Sequence, residues 1–107
     1  YGTASHAEGL RTISTGWASH AEGAYTTASG DYSHAEGSSS IAYGEASHAE
    51  GLGTIASGSY QSAVGRFNNQ NNTADYFVIG VGVNDGTRAD GFGVNNTRTY
   101  ISKSLER

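Results

Sequence analysis

An all-β fold, a parallel β-roll (solenoid) coiled from 14-residue repeats, is what this sequence predicts, and three observations predict it. The pentapeptide SHAEG recurs with His6, His20, His34 and His48 spaced by 14 residues each time. Half a repeat later comes a second, weaker pentapeptide ending in Gly: TISTG (Thr12 to Gly16), TTASG (Thr26 to Gly30), SIAYG (Ser40 to Gly44) and TIASG (Thr54 to Gly58). Finally, the 107 residues include 16 Gly, no Pro, Cys or Met, and only 36% hydrophobic residues, which is too little for a conventional core.

Aligned from Gly2, the repeat gives five units: Gly2 to Thr15, Gly16 to Ser29, Gly30 to Tyr43, Gly44 to Ser57, and a degenerate fifth, Gly58 to Asn71, in which QSAVG replaces SHAEG. Terminal repeats of solenoids depart from consensus in this way. A seven-residue half-repeat could also describe a coiled coil. That reading fails, because a heptad needs two apolar positions where this one offers Ala and Gly, and each Gly would cost a helix about 1 kcal/mol. Alternation with period two fits instead. It places Ser5, Ala7 and Gly9 on one face and His6 and Glu8 on the other, so each coil contributes two short strands. Gly is expected to supply positive φ at the corners, and Ala with Gly the close approach of the two sheets. Five coils at the strand spacing would rise roughly 24 Å.

An Ala-lined roll buries too little apolar surface to offset chain entropy, and its outer faces still carry Ile13, Ile41 and Ile55. Symmetric oligomerisation is therefore expected, with one sheet of each roll facing a shared axis. Residues 1–71 form the repeat domain in this reading, and 72–107 a C-terminal β-rich cap. Within the latter, Tyr76 to Val83 reads as an apolar strand, and Gly91 to Asn95 and Thr99 to Ser102 as shorter ones. Asn84-Asp85-Gly86 reads as a hairpin turn, although GVGVNDG superficially matches a dinucleotide loop at the wrong spacing. The terminal SKSLER is expected to fray. The chain opens without Met, inside a repeat unit, as a piece of a longer protein would.

Composition also excludes classes of function. A net charge of −4 with six scattered Lys and Arg does not make a nucleic-acid surface. No apolar run approaches the ~20 residues of a membrane span, and without Cys there are neither disulfides nor thiolate metal sites.

The S-x-A-x-G strand followed by x-A-[ST]-G resembles the head repeats of trimeric autotransporter adhesins (YadA-like heads). The SHAEG variant, with GRFNNQNNTADYFVIGVGVND (Gly65 to Asp85) and RADGFGVNNTRTYI (Arg88 to Ile101) after it, is similar to the shafts of phage and prophage tail fibres and neck appendages, where such segments commonly precede a C-terminal chaperone domain. The resemblance implies a left-handed roll and a homotrimer. It implies a virion tail fibre, with the extracellular head of a bacterial surface adhesin as the alternative. In the adhesin heads the variable positions of the strand are apolar and face the trimer axis. Carried over, this puts His6, Glu8, His20, Glu22, His34, Glu36, His48, Glu50 and Val64 at the axis, with His and Glu replacing the family's Val and Ile.

A His/Glu ladder admits three readings. Inter-chain pairing sets register, since buried ion pairs specify alignment more than they stabilise. Three His on a threefold axis would present nitrogen ligands to a transition metal, but Glu two residues on is better explained by pairing, so neither metal nor other cofactor is expected. A repeated Ser5-His6-Glu8 triad fails because adjacent strand residues point to opposite faces, and no enzymatic activity is expected. Pairing predicts a raised His pKa and a lowered Glu pKa, hence an assembly most robust in mildly acidic solution. Asp75, Asp85 and Asp90 lie too far apart for a recognised Ca²⁺ loop. Exposed Trp17, Tyr25, Tyr43 and Tyr60 are candidates for contact with a host-cell receptor, a glycan or surface protein.

Overall fold

The computed structural model describes residues 2–102; the expected fraying of SKSLER concerns residues outside these, apart from Ser102. No helix forms among the described residues, so none is long and apolar enough to cross a membrane. The chain is a β-solenoid of about five stacked coils, 42 × 28 × 15 Å in extent.

Each coil crosses two sheets. The His-Ala positions of SHAEG form β1 (His6–Leu10), β3 (His20–Ala24), β5 (His34–Ala35) and β7 (His48–Ala49), with β9 (Ser62–Arg66) from the degenerate unit. The half-repeat forms β2 (Ile13–Ser14), β4 (Thr27–Ala28), β6 (Ile41–Ala42) and β8 (Ile55–Ala56). Strands of one sheet pair in parallel, each residue beside its equivalent 14 positions on: His6 with His20, His20 with His34, Ile41 with Ile55. Identical rungs follow, with the amides of His6, His20, His34 and His48 each donating at 2.9 Å to Ser19, Ser33, Ser47 and Gln61.

Among the described residues, the core is a run of buried side chains, Ala21, Ala28, Ala35, Ala42, Ala49, Ala56, Ala63 and Val78. Serines fill one end of the flattened interior. Their hydroxyls donate back to the carbonyl three residues earlier, as from Ser19 to Gly16 at 2.7 Å and from Ser47 to Gly44 at 2.6 Å. At the other end Thr26 and Thr54 donate to Glu22 and Glu50 carbonyls. Small residues thus make the roll thin, and their hydroxyls satisfy its buried corners.

The corners differ from expectation in two respects. Left-handed backbone recurs every seven residues, but mostly on residues with side chains: Ala4, Arg11, Ala18, Tyr25, Tyr32, Ser39, Ala46, Tyr60 and Phe67. Coil closure imposes this conformation at ~1–2 kcal/mol each, and stacking must outweigh it. The SHAEG glycines are also left-handed, Gly23 at φ +103°, and surface at a corner instead of lining the interior with Ser and Ala. Gly44 has no positive φ; it is there because a Cβ would lie 2.1 Å from the carbonyl oxygen of Gly58 in the next coil.

The larger sheet runs on beyond the repeats. Strand β10 (Phe77–Val81) pairs in parallel with β9, Val78 beside Ala63 and Gly80 beside Gly65, a spacing of 15 residues. Antiparallel strands β11 (Asp90–Val94) and β12 (Thr99–Ile101) complete the order β1-β3-β5-β7-β9-β10-β11-β12. The β10–β11 hairpin turns at Asn84 to Thr87, closed by the Thr87 amide donating to Asn84 at 3.0 Å.

The smaller sheet ends differently. Where a further strand would pair with β8, the buried Asn68 side chain takes its place. Its Oδ1 accepts from the Ile55 amide at 2.8 Å, and its Nδ2 donates to the Ile55 carbonyl at 2.9 Å. Arg88 closes over the same end, donating to the carbonyls of Gly53 at 2.8 Å and Asn68 at 3.2 Å, with its guanidinium above the Phe67 ring.

Candidate functional site

The parallel register stacks the four His of the larger sheet in one column and the four Glu beside them, on the outer face. His20, His34 and His48 are stacked ring on ring, centroids 4.7 Å apart and planes within 5°. His6, in the open first coil, meets His20 edge-on at 4.9 Å. Each His Nε2 faces a carboxylate of its own chain: His6 to Glu8 at 2.9 Å, His20 to Glu22 at 3.3 Å, and His48 to Glu36 at 3.2 Å and Glu50 at 3.4 Å. His34 lies 4.0 Å from Glu36. The Nε2 atoms of His20 and His34 are shielded from solvent yet make no hydrogen bond.

The ladder's titration departs from expectation. Burial, and then the neighbouring His48, push His34 below the ordinary His range. The expected attraction of Glu36 is present but weaker than these two, because a column of rings 4.7 Å apart crowds like charges together. Two carboxylates, Glu8 and Glu36, move in the expected direction. The His6 hydrogen bond lowers Glu8, and at Glu36 burial acts upward but the bond from His48 helps to overcome it, leaving the group lowered. A lowered His34 favours the neutral ring and a lowered Glu36 favours the anion. Both contributions stand above the unfolded pKa values and are lost as pH falls through the folded ones. Within one chain these two groups therefore disfavour acid; the mildly acidic optimum belongs to pairing between chains.

Beyond the ladder the same face turns apolar. Glu50 gives way to Val64, which pairs with Ile79, and Ile79 with Phe92; Phe77 takes the place of His, its ring 6.3 Å from Phe92. Phe77 and Ile101 remain exposed.

The four aromatic candidates do not form one surface. Trp17 sits at a corner where its ring meets Tyr32 edge-on at 5.2 Å, and its amide donates to Asp31 at 2.9 Å. Tyr60 occupies the same turn position as Tyr32, two coils on, whereas Tyr25 is at the other corner of the coil. Tyr43 edges a shallow groove with Ile41, Leu52 and Arg88. Tyr32 was not among the candidates, although its place in GDYS matches that of Tyr60 in GSYQ.

One polar cluster was not foreseen. Asp75, buried between β9 and the terminal strands, accepts from Asn72 at 2.7 Å, Asn95 at 2.7 Å and the Tyr100 hydroxyl at 2.5 Å, and Asn72 also donates to Asp90 at 2.8 Å. Burial pushes the Asp75 carboxyl up, but its three donors more than compensate and it stays low. Burial and the bond to Asp75 drive Tyr100 up to about 12. The serines, by contrast, point inward, Ser5 bonding to Gly2 and Ser33 to Gly30, away from the His rings on the opposite face. No family model, no curated protein and no solved structure matches the chain.

Proposed function

We propose that this chain is a structural and receptor-presenting segment of a homotrimeric extracellular fibre, of the kind that forms phage and phage-derived tail fibres, and that it has no enzymatic activity. One observation carries the reading: among the described residues the buried apolar side chains are seven Ala, Val78 and Ile55, whereas Leu10, Ile13, Trp17, Leu52, Phe77 and Ile101 lie on the surface. A roll with so thin a core finds its missing burial between copies. The outer face of the larger sheet suits that role, being continuous from the His/Glu ladder to Val64, Phe77, Ile79 and Phe92. Facing a threefold axis, its polar half sets register and its apolar half, with β11 and β12, caps and clamps the three rolls. The corners carrying Trp17, Tyr32 and Tyr60 then remain outermost, available to a receptor such as a host-surface glycan. Sedimentation equilibrium tests the assembly. A species of three times 11.1 kDa is expected, and a monomer at micromolar concentration overturns the proposal.

A further inference from the structure

We infer that the His/Glu ladder is a binding site for a divalent transition metal ion, zinc in the first instance, held within a single chain between successive coils. Three overlapping groups offer the donor set: His6, Glu8 and His20; His20, Glu22 and His34; His34, Glu36 and His48, with the ligand atoms of each group within 4.8 Å of one another. Two imidazoles and one carboxylate are a ligand set that zinc takes, with a further position left for water. Hard cations such as Ca²⁺ instead need six or more oxygens.

The middle group is the best prepared. Tetrahedral zinc, with bonds of about 2.1 Å, spaces its ligand atoms by about 3.4 Å. His20 Nε2 and Glu22 already stand 3.3 Å apart, and the donor atoms of the group lie within 4.8 Å of one another, so His34 has to close by at most about 1.4 Å on the same geometry. Because the His20 and His34 rings are stacked within 3° of parallel, their in-plane lone pairs converge on one ion only when the half-exposed His34 ring also turns toward it. The orphaned atoms point the same way. His20 Nε2 and His34 Nε2 are removed from water without a hydrogen bond in exchange, keeping only their charge contacts with Glu22 at 3.3 Å and Glu36 at 4.0 Å, which ordinarily leaves a polar atom at a cost. A metal ion bonded to both, with Glu22 balancing its charge, gives each nitrogen a partner. Because neighbouring groups share His20 or His34, the ladder holds at most two ions per chain without sharing a ligand, in the first and third groups. Ions placed so would staple coil to coil with coordinate bonds, adding to the ring stacking and the His48–Glu36 pair that already link neighbouring coils.

The test is calorimetric titration of the untagged chain with ZnCl2 in a non-coordinating buffer. Saturable binding of one or two ions per chain is expected, with a zinc-dependent rise in melting temperature. The double variant His20→Gln/His34→Gln should bind at least tenfold more weakly, whereas Glu45→Gln, at a corner off the ladder, should match wild type, and CaCl2 should not compete. Absence of saturable zinc binding by wild type, or equal affinity in the double variant, overturns the inference. Should the double variant not fold, Co²⁺ added to wild type decides it. Intensified visible absorption of a four- or five-coordinate ion supports the site, and the spectrum of the aqueous ion refutes it. All these readings are per chain, so they stand or fall apart from the trimer.

Discussion

At Gly37 two demands coincide. Its φ is +99°, and a Cβ there would lie 2.2 Å from the carbonyl oxygen of Gly51, a backbone atom held by the stack. Gly37→Ala should therefore destabilise by about 3 kcal/mol or more, seen as a lower melting temperature. Ala46 is also left-handed, at φ 54°, but points to solvent. Ala46→Gly relieves the strain while loosening the unfolded chain, so it should lie within about 1 kcal/mol of wild type, on the stable side. Equal losses at the two positions would refute this division of labour. The period of 14 was legible in the sequence because Gly and SHAEG mark it. Which residues are left-handed was not, because coil closure imposes that conformation on Ala, Tyr and Ser against their preference.

Elements end on side chains that no repeat announces. Asn68 satisfies both the amide and the carbonyl of Ile55 from a fully buried position. Asn68→Ala should then cost about 2–4 kcal/mol, two backbone groups being orphaned at once. Asn68→Asp keeps the acceptor but sets a carboxylate against the Ile55 carbonyl, and should regain stability as pH falls and the acid protonates. Sequence reasoning placed the turn at Asn84-Asp85-Gly86 but missed Asn68, since one Asn in GRFNNQNN is indistinguishable from its loop neighbours until its backbone partner is known. The Asp75 cluster was hidden likewise, its members being 20 and 25 residues apart in Asn95 and Tyr100. Tyr100, raised to about 12 from 10.0, contributes stability fully present below pH 10 and lost between about 10 and 12. Lowered Asp75 contributes above its unfolded pKa and loses it as pH falls through the folded one. Melting curves of Tyr100→Phe should accordingly lack part of the alkaline decline that wild type shows between pH 10 and 11.5; superimposable declines would remove the Tyr100–Asp75 bond from the account.

For the whole molecule, the sequence announced a shortage of apolar residues, and the fold shows where the shortage lies: within the roll, whose first four coils hold little but Ala, Ser and Thr between the sheets, with the larger buried side chains Gln61, Asn68 and Val78 coming only at its C-terminal end. It also explains why the apolar end of the larger sheet was read as a separate strand set, because the one-residue insertion before β10 breaks the period of 14 while leaving Val78 and Gly80 in register. In the proposed trimer that apolar end is the clamp, and Ile79, half-buried beside Val64 and Phe92, lies near its centre. Ile79→Asp removes apolar area from every chain at once and places three carboxylates near the axis, where like charges with little water repel strongly. The mass should fall from trimer toward monomer, with each chain retaining its β-sheet circular dichroism because Ile79 alternates with the buried Val78 and so projects from the outer face. Ile13→Asp, on the outer face of the smaller sheet, should leave the trimer intact. If Ile13→Asp dissociates the assembly and Ile79→Asp does not, the smaller sheet faces the axis and the His/Glu ladder looks outward.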